Sequence, residues 1–273
     1  MILSLRLSQC LLRVRLIRAA AAGLVLVLTP SAARAQVSVD ALELAFVLSS
    51  PTAAMAPQEF HVTNDGAART QVTIIVQDWD RSESGENRYA PLGSLPQSCR
   101  AHVKVFPAVL QLEAGASASV RVWLDDVAAV SSGCYTILFV ETPKPPPSSA
   151  SSGLRYSMRY GVKVYVEPQA QPTAELFAAT VSPLNGSSLL RLELGYRNVG
   201  ARQTIAKGVV EVRRPDNTVA ITIPIAEFYT LPGATRRLST VLPSLPQGTY
   251  VLLALIDFGG ADIAAAQVQA EIR

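Results

Sequence analysis

The sequence predicts an all-β fold of two tandem immunoglobulin-like sandwiches, on three observations. Apolar residues alternate with polar ones over many short segments, the period of a strand with one buried face. Turn signals separate these segments about every 8–12 residues, and almost no segment carries a helical period. Three landmarks of the first half also recur in the same order in the second, as an internal repeat does.

The N-terminus stands apart. Arg6, Arg13, Arg15 and Arg18 form a basic region, followed by the apolar run 19–28 and the small-residue site Ala33-Arg34-Ala35. That order reads as a signal peptide over residues 1–35, cleaved to leave Gln36 first. The apolar run is too short to span a bilayer, and Pro30 and Ser31 follow it directly, so no membrane insertion is expected after cleavage. Export to the periplasm is the expectation. The chain carries 24 Lys and Arg against 21 Asp and Glu. Five arginines, Arg34 among them, leave with the signal, so the mature chain is near neutral and has no basic cluster for nucleic acid.

From residue 37 to 48 the chain reads as strand material. Residues 59–63 form a strand ending at Asn64-Asp65-Gly66, a strong turn signal. Residues 70–79 put Val72, Ile74 and Val76 on one face and Ile75 and Trp79 on the other. A polar loop or hairpin tip spans 81–89. Strands follow at 102–106, 109–112 and 119–124, and an apolar one at 136–141. Residues 168–172, Pro-Gln-Ala-Gln-Pro, read as a linker, which bounds a first domain at 36–168 and a second at 173–273. In the second, Asn198-Val199-Gly200-Ala201 echoes Asn64-Asp65-Gly66-Ala67. Leu231-Pro232-Gly233-Ala234 echoes 112–116, and Gly248-Thr249-Tyr250 echoes Gly133-Cys134-Tyr135. Tyr135 and Tyr250 are expected to be structural, as in a tyrosine corner.

The most regular alternation is at 154–166. Tyr156, Met158, Tyr160, Val162 and Val164 share one face, with Arg159 and Lys163 on the other. A Pro- and Ser-rich leader, 143–153, precedes it. Such a strand either closes a sandwich or lends its oily face to another protein.

Chemistry-bearing patterns are sparse. The two histidines, His61 and His102, lie within strand patterns and have no nucleophile arranged around them. Phe258-Gly259-Gly260 lacks the lysine and helix of a phosphate loop. Asp78 and Asp80 flank Trp79 and read as turn chemistry rather than as paired carboxylates. Asp125-Asp126 lacks the further oxygen ligands of a calcium site. No enzyme activity, metal or cofactor is expected. Cys99 and Cys134 are the two cysteines left after signal removal, and in an exported chain an even pair favours a disulfide.

In architecture the chain resembles the periplasmic pilus-assembly chaperones (PapD-like). The residues that carry the resemblance are the strand before Asn64-Asp65, Val76-Gln77-Asp78-Trp79, Val105-Phe106-Pro107, the turn before Val120-Arg121-Val122, and the Pro/Ser-rich loop leading into the 156–166 strand. The resemblance implies donor-strand complementation: the face of Tyr156, Met158, Tyr160, Val162 and Val164 would fill the groove of an incomplete pilin-like secreted subunit. It also implies a cationic anchor for the subunit's terminal carboxylate, for which Arg159 and Lys163 are the candidates on the strand. Residues 36–50, where the family places an arginine, contain no Arg or Lys. The competing reading is an extracytoplasmic structural or adhesive module. Exposure of the 156–164 face along an edge favours the first reading, and burial in the domain's own core favours the second.

Overall fold

The computed structural model describes residues 37–49, 56–126, 133–143, 158–185 and 189–272. The expected signal peptide, Tyr156 and most of the 143–153 leader lie outside these residues. The described chain contains strands and no helix: β1 (Val37–Val39), β2 (Glu43–Leu48), β3 (Gln58–Asn64), β4 (Thr70–Arg81), β5 (Asn87–Pro91), β6 (Val103–Phe106), β7 (Val109–Leu112), β8 (Ser117–Leu124), β9 (Cys134–Glu141), β10 (Arg159–Pro168), β11 (Ala174–Pro183), β12 (Leu190–Asn198), β13 (Thr204–Arg213), β14 (Val219–Thr230), β15 (Thr235–Val241), β16 (Gly248–Asp257) and β17 (Ile263–Ile272).

Strands β1 to β10 form one sandwich. One sheet runs β1-β3-β8-β6; the other runs β2-β10-β9-β4-β5, with β7 also on β4. Strands β11 to β17 form the second sandwich, from sheets β11-β12-β15 and β14-β13-β16-β17. Among the described residues, no ladder joins the two pairs of sheets. Inward residues fill each core: Phe46, Phe60, Val62, Val120, Val122, Leu138 and Val164 in the first, and Leu192, Val210, Val212, Leu252 and Ala254 in the second.

The segment 37–48 is not one strand but two, in different sheets. The break lies at Asp40. Its carboxylate accepts the backbone N–H of His61 at 2.6 Å and contacts the His61 ring at 2.8 Å. This fixes β1 beside β3, and the chain then crosses to run parallel to β10 as β2.

The repeated landmarks meet in space, in the same way in both sandwiches. Asn64 is fully buried, and its amide donates to the carbonyls of Ala68, Leu112 and Glu113. Its Oδ1 accepts the N–H of Gly66, and its own carbonyl takes the N–H of Gly115. Asn198 repeats the pattern. Its amide reaches Arg202 and Thr230, its Oδ1 takes Gly200, and its carbonyl takes Gly233. Gly115 and Gly233 both adopt φ 72°, a conformation that favours glycine. Each asparagine thus joins the end of one strand to a distant tight turn.

Cys99 and Cys134 are joined in a disulfide with Cα atoms 5.1 Å apart, inside the usual range. Asp78 organises the loop that brings them together. It is fully buried. Its Oδ2 accepts the N–H groups of Gly93, Ser94 and Leu95, each at 2.9 Å, and its Oδ1 accepts the Ser98 hydroxyl at 2.6 Å. Asp80 turns away to a two-pronged pair with Arg88, so the two aspartates share no site.

Candidate functional site

Strand β10 begins with one side open. It pairs with β9 along its length from Arg159, but β2 starts only opposite Lys163. The Lys163 N–H donates to Leu42 at 2.8 Å. Alternate residues of a strand send their backbone groups to the same side. Arg159 and Gly161 therefore direct N–H and C=O where no described strand lies. Four residues, 159–162, form the open edge.

The side chains of the alternating face divide along the strand. Val162, Val164 and Val166 are buried in the sandwich's own core. Tyr160 is half-buried against that core, and Met158 is 41% exposed. The Tyr160 hydroxyl lies 3.9 Å from the Met158 sulfur. Of the five side chains expected on this face, only Met158 and Tyr160 therefore stand at the open edge in the described residues. Val162 and Val164 turn inward and present nothing to a partner.

The other face packs on the second sandwich. Trp79, Tyr135, Ile137, Phe139 and Tyr165 cluster with Leu231, flanked by Ile75 and Ala234. Tyr165 meets Trp79 and Tyr135 edge-on, with ring centroids 5.8 Å apart in each pair, an arrangement aromatic rings favour. A Cβ at Gly161 would stand 2.6 Å from Ile137 Cδ1, so the Ile137 side chain would have to shift to admit one. Burial holds the Tyr165 hydroxyl well above the usual phenol range, and Glu43 beside it pushes the same way.

Both candidate anchor cations have partners in this chain. Arg159 lies over the Phe139 ring and pairs with Glu141. Lys163 sits 5.1 Å over the Trp79 ring and 3.5 Å from Glu43. Sequence reasoning missed Glu43, which lies on β2 opposite Lys163. Nothing in its local pattern marks it.

At the far end of β10, Glu167 is buried. It accepts the N–H of Gln203 at 2.6 Å, lies 3.5 Å from the Tyr135 hydroxyl, and faces Arg202 at 3.6 Å. Burial raises its pKa above the ordinary 4.5, against the pull of Gln203 and Arg202. Tyr135 thus serves the junction between the sandwiches rather than a tyrosine corner. Tyr250 does form the local bond, donating to the carbonyl of Pro246 at 3.1 Å. Among the described residues, no three His, Cys, Asp or Glu side chains gather as a metal site, and no helix is long and apolar enough to cross a membrane.

No protein-family model matches the sequence, and no curated protein matches it either. Solved structures do match. The chain is similar to the class 5 fimbriae chaperone CfaA, at 12% identity and a TM-score of 0.51, over 85% of this chain and 98% of that one. A structure of a chaperone–tip adhesin complex of CFA/I fimbriae biogenesis is similar at 11% identity and a TM-score of 0.51, with the same shares covered. The likeness is one of fold: the chain has the two-sandwich, PapD-like fold of the pilus-assembly chaperones.

Proposed function

We propose that this protein is an extracytoplasmic chaperone that binds incomplete β-rich, pilin-like subunits by pairing a strand of theirs with the open start of β10. The observation that carries the reading is the edge at 159–162, where β10 runs on past the start of β2 with Met158 and Tyr160 beside it. Such an edge offers main-chain hydrogen bonds for affinity and alternate side chains for selectivity. The shared fold with fimbrial chaperones supports the same role, and the signal-like N-terminus supports the periplasm as its place. A terminal carboxylate of the partner would have to displace Glu43 from Lys163 or Glu141 from Arg159.

The second reading is an extracytoplasmic structural or adhesive module. It is favoured by the burial of Val162 and Val164 and by the engagement of both cations.

Co-purification from the periplasm separates the two. The chaperone reading expects a stoichiometric partner that is unstable alone, and its loss when Met158 and Tyr160 are both changed to Ser while the melting temperature stays within a few degrees. A partner retained by that variant, or none recovered with the unaltered protein, favours the structural module.

A further inference from the structure

The two sheets of the second sandwich close on one side and stand open on the other. Strand β11 packs beside β17. On the opposite side β14 and β15 end their sheets, and neither pairs with a further strand among the described residues. A groove of about 390 Å³ lies between them, lined by Leu192, Leu194, Ile225, Phe228 and Leu238. Ile225 and Leu238 pack against the core yet stay only half-buried. Apolar surface left in this way gains free energy when something apolar covers it.

The open edge of β15 already carries one main-chain bond. The Arg237 N–H donates to the carbonyl of Glu83 at 2.9 Å, in the turn between β4 and β5. The Glu83 carboxylate takes Arg237 Nε and the Thr235 hydroxyl. Main-chain groups alternate in direction along a strand, and Leu242 sends its N–H to Leu190 on the β12 side. Ser239 and Val241 therefore turn their N–H and C=O groups to the open side, beyond Glu83. The edge of β14 is the poorer partner. Pro224 stands within it, and a proline in a strand turns its missing donor outward.

Arg236 lines the same groove, at the end that the Glu83 turn closes. Its guanidinium packs so closely on Gly85 that a Cβ there would overlap it. Its Nε and Nη1 are buried and have no hydrogen-bond partner among the described residues. The carboxylate in the lining, Glu227, accepts the Tyr229 hydroxyl instead. Burying a cation without a counterion is costly.

We propose that the second sandwich takes up the C-terminal segment of another polypeptide as an added strand, antiparallel to β15, with its terminal carboxylate on Arg236. An extended chain is the ligand that unpaired main-chain groups beside an apolar groove accept. It can pair with Val241 and Ser239 but must stop where Glu83 already holds Arg237. The chain end that suits a guanidinium is the carboxyl end, and this sets the direction. Apolar side chains at alternate positions of the segment would cover Leu238 and Ile225. The site is separate from the open start of β10 and stands whichever reading of that edge holds.

Nitrogen-edited NMR of the protein tests it, in a titration with an acetylated peptide of alternating threonine and valine that ends in a free carboxylate. The amide signals of Ser239 and Val241 should move saturably, and their hydrogen exchange should slow. The same peptide with an amidated end should bind about tenfold more weakly, the loss expected for one charged hydrogen bond. That difference should vanish in Arg236→Gln. Val241→Pro removes an open-side N–H and should abolish the shift at Ser239 while the melting temperature stays within a few degrees. Met158→Ser combined with Tyr160→Ser should leave that shift in place. Signals that move only at 159–162, or a Ser239 shift that survives Val241→Pro, overturn the proposal. So does the absence of any shift at Ser239 and Val241 with millimolar peptide. Equal binding of the two peptides by the unaltered protein overturns the place given to Arg236. If the variants do not fold, the exchange rates and the comparison of the two peptides on the unaltered protein decide.

Discussion

Glu167 brings an ionisable group into the junction with almost no contact with water, and the sign of its pH effect follows from its raised pKa. The folded chain binds a proton there more readily than the unfolded chain does. Its contribution to stability therefore grows as pH falls through the folded pKa, levels off below the ordinary 4.5, and is lost as pH rises. Glu167→Gln keeps an acceptor for Gln203 and removes the titration. The variant should thus gain on the parent at pH 7 and lose that gain as the pH approaches 4.5; melting curves across the range check it. A difference that does not change with pH would show that Glu167 does not titrate in the fold. Asn64 gives a second expectation at this scale. Asn64→Ala strips hydrogen bonds from three carbonyls and should cost roughly 1–3 kcal/mol, measurable by urea unfolding. The sequence showed both asparagines as turn signals and as repeats of one another. It did not show their long-range bonds, because Leu112 and Thr230 lie far from them along the chain. Glu167 was hidden for a similar reason: its partners Gln203 and Arg202 belong to the other sandwich.

Among the elements, legibility followed side-chain contrast. Strands with branched apolar residues alternating with polar ones, such as β4, β8 and β10, were readable, and so were the two faces of β4. Strands β11 and β17 are rich in alanine, AELFAATVSP and IAAAQVQAEI, which gives little contrast and is depleted in strands. Neither was picked out individually, nor were β13, β14 and β15. Strand β9 is apolar at nearly every position because both of its faces are covered, one by its own core and one by the junction. For β10 the alternation was legible, but the point where it stops being an edge was not. That point depends on where β2 begins, which is set by the break at Asp40. The structure therefore separates two classes of change on one face. Val162→Ser removes a fully buried side chain and should cost about 1.5–3 kcal/mol or more, with a matching fall in melting temperature. Met158→Ser, at the exposed start, should leave the melting temperature within about a degree. Similar losses at both positions would mean that the open edge is occupied by the chain itself.

For the molecule as a whole, the internal repeat pointed to two sandwiches, and the likeness to solved chaperones agrees in fold. The contact between them was not legible, because its residues come from β4, β9, β10 and the turn at 231–234. The first sandwich contributes Ile75, Trp79, Tyr135, Ile137, Phe139 and Tyr165, and the second contributes Leu231 and Ala234. This asymmetry makes a specific expectation for the separated halves. A fragment ending near Glu167 would expose a contiguous aromatic and aliphatic face, the kind of patch that drives association. A fragment beginning near Thr173 would expose little more than Leu231. Both should give β-type circular dichroism, since each retains its own core. The first should melt below the intact chain and self-associate at rising concentration; the second should stay monomeric. Trp79 adds a direct readout, since its ring is buried between Tyr165 and Lys163 in the intact protein. Its fluorescence should shift to the red in the first fragment and return when the second is added in excess. A first fragment that stays monomeric, with an unshifted tryptophan and the melting temperature of the whole, would mean that the junction contributes nothing to its stability.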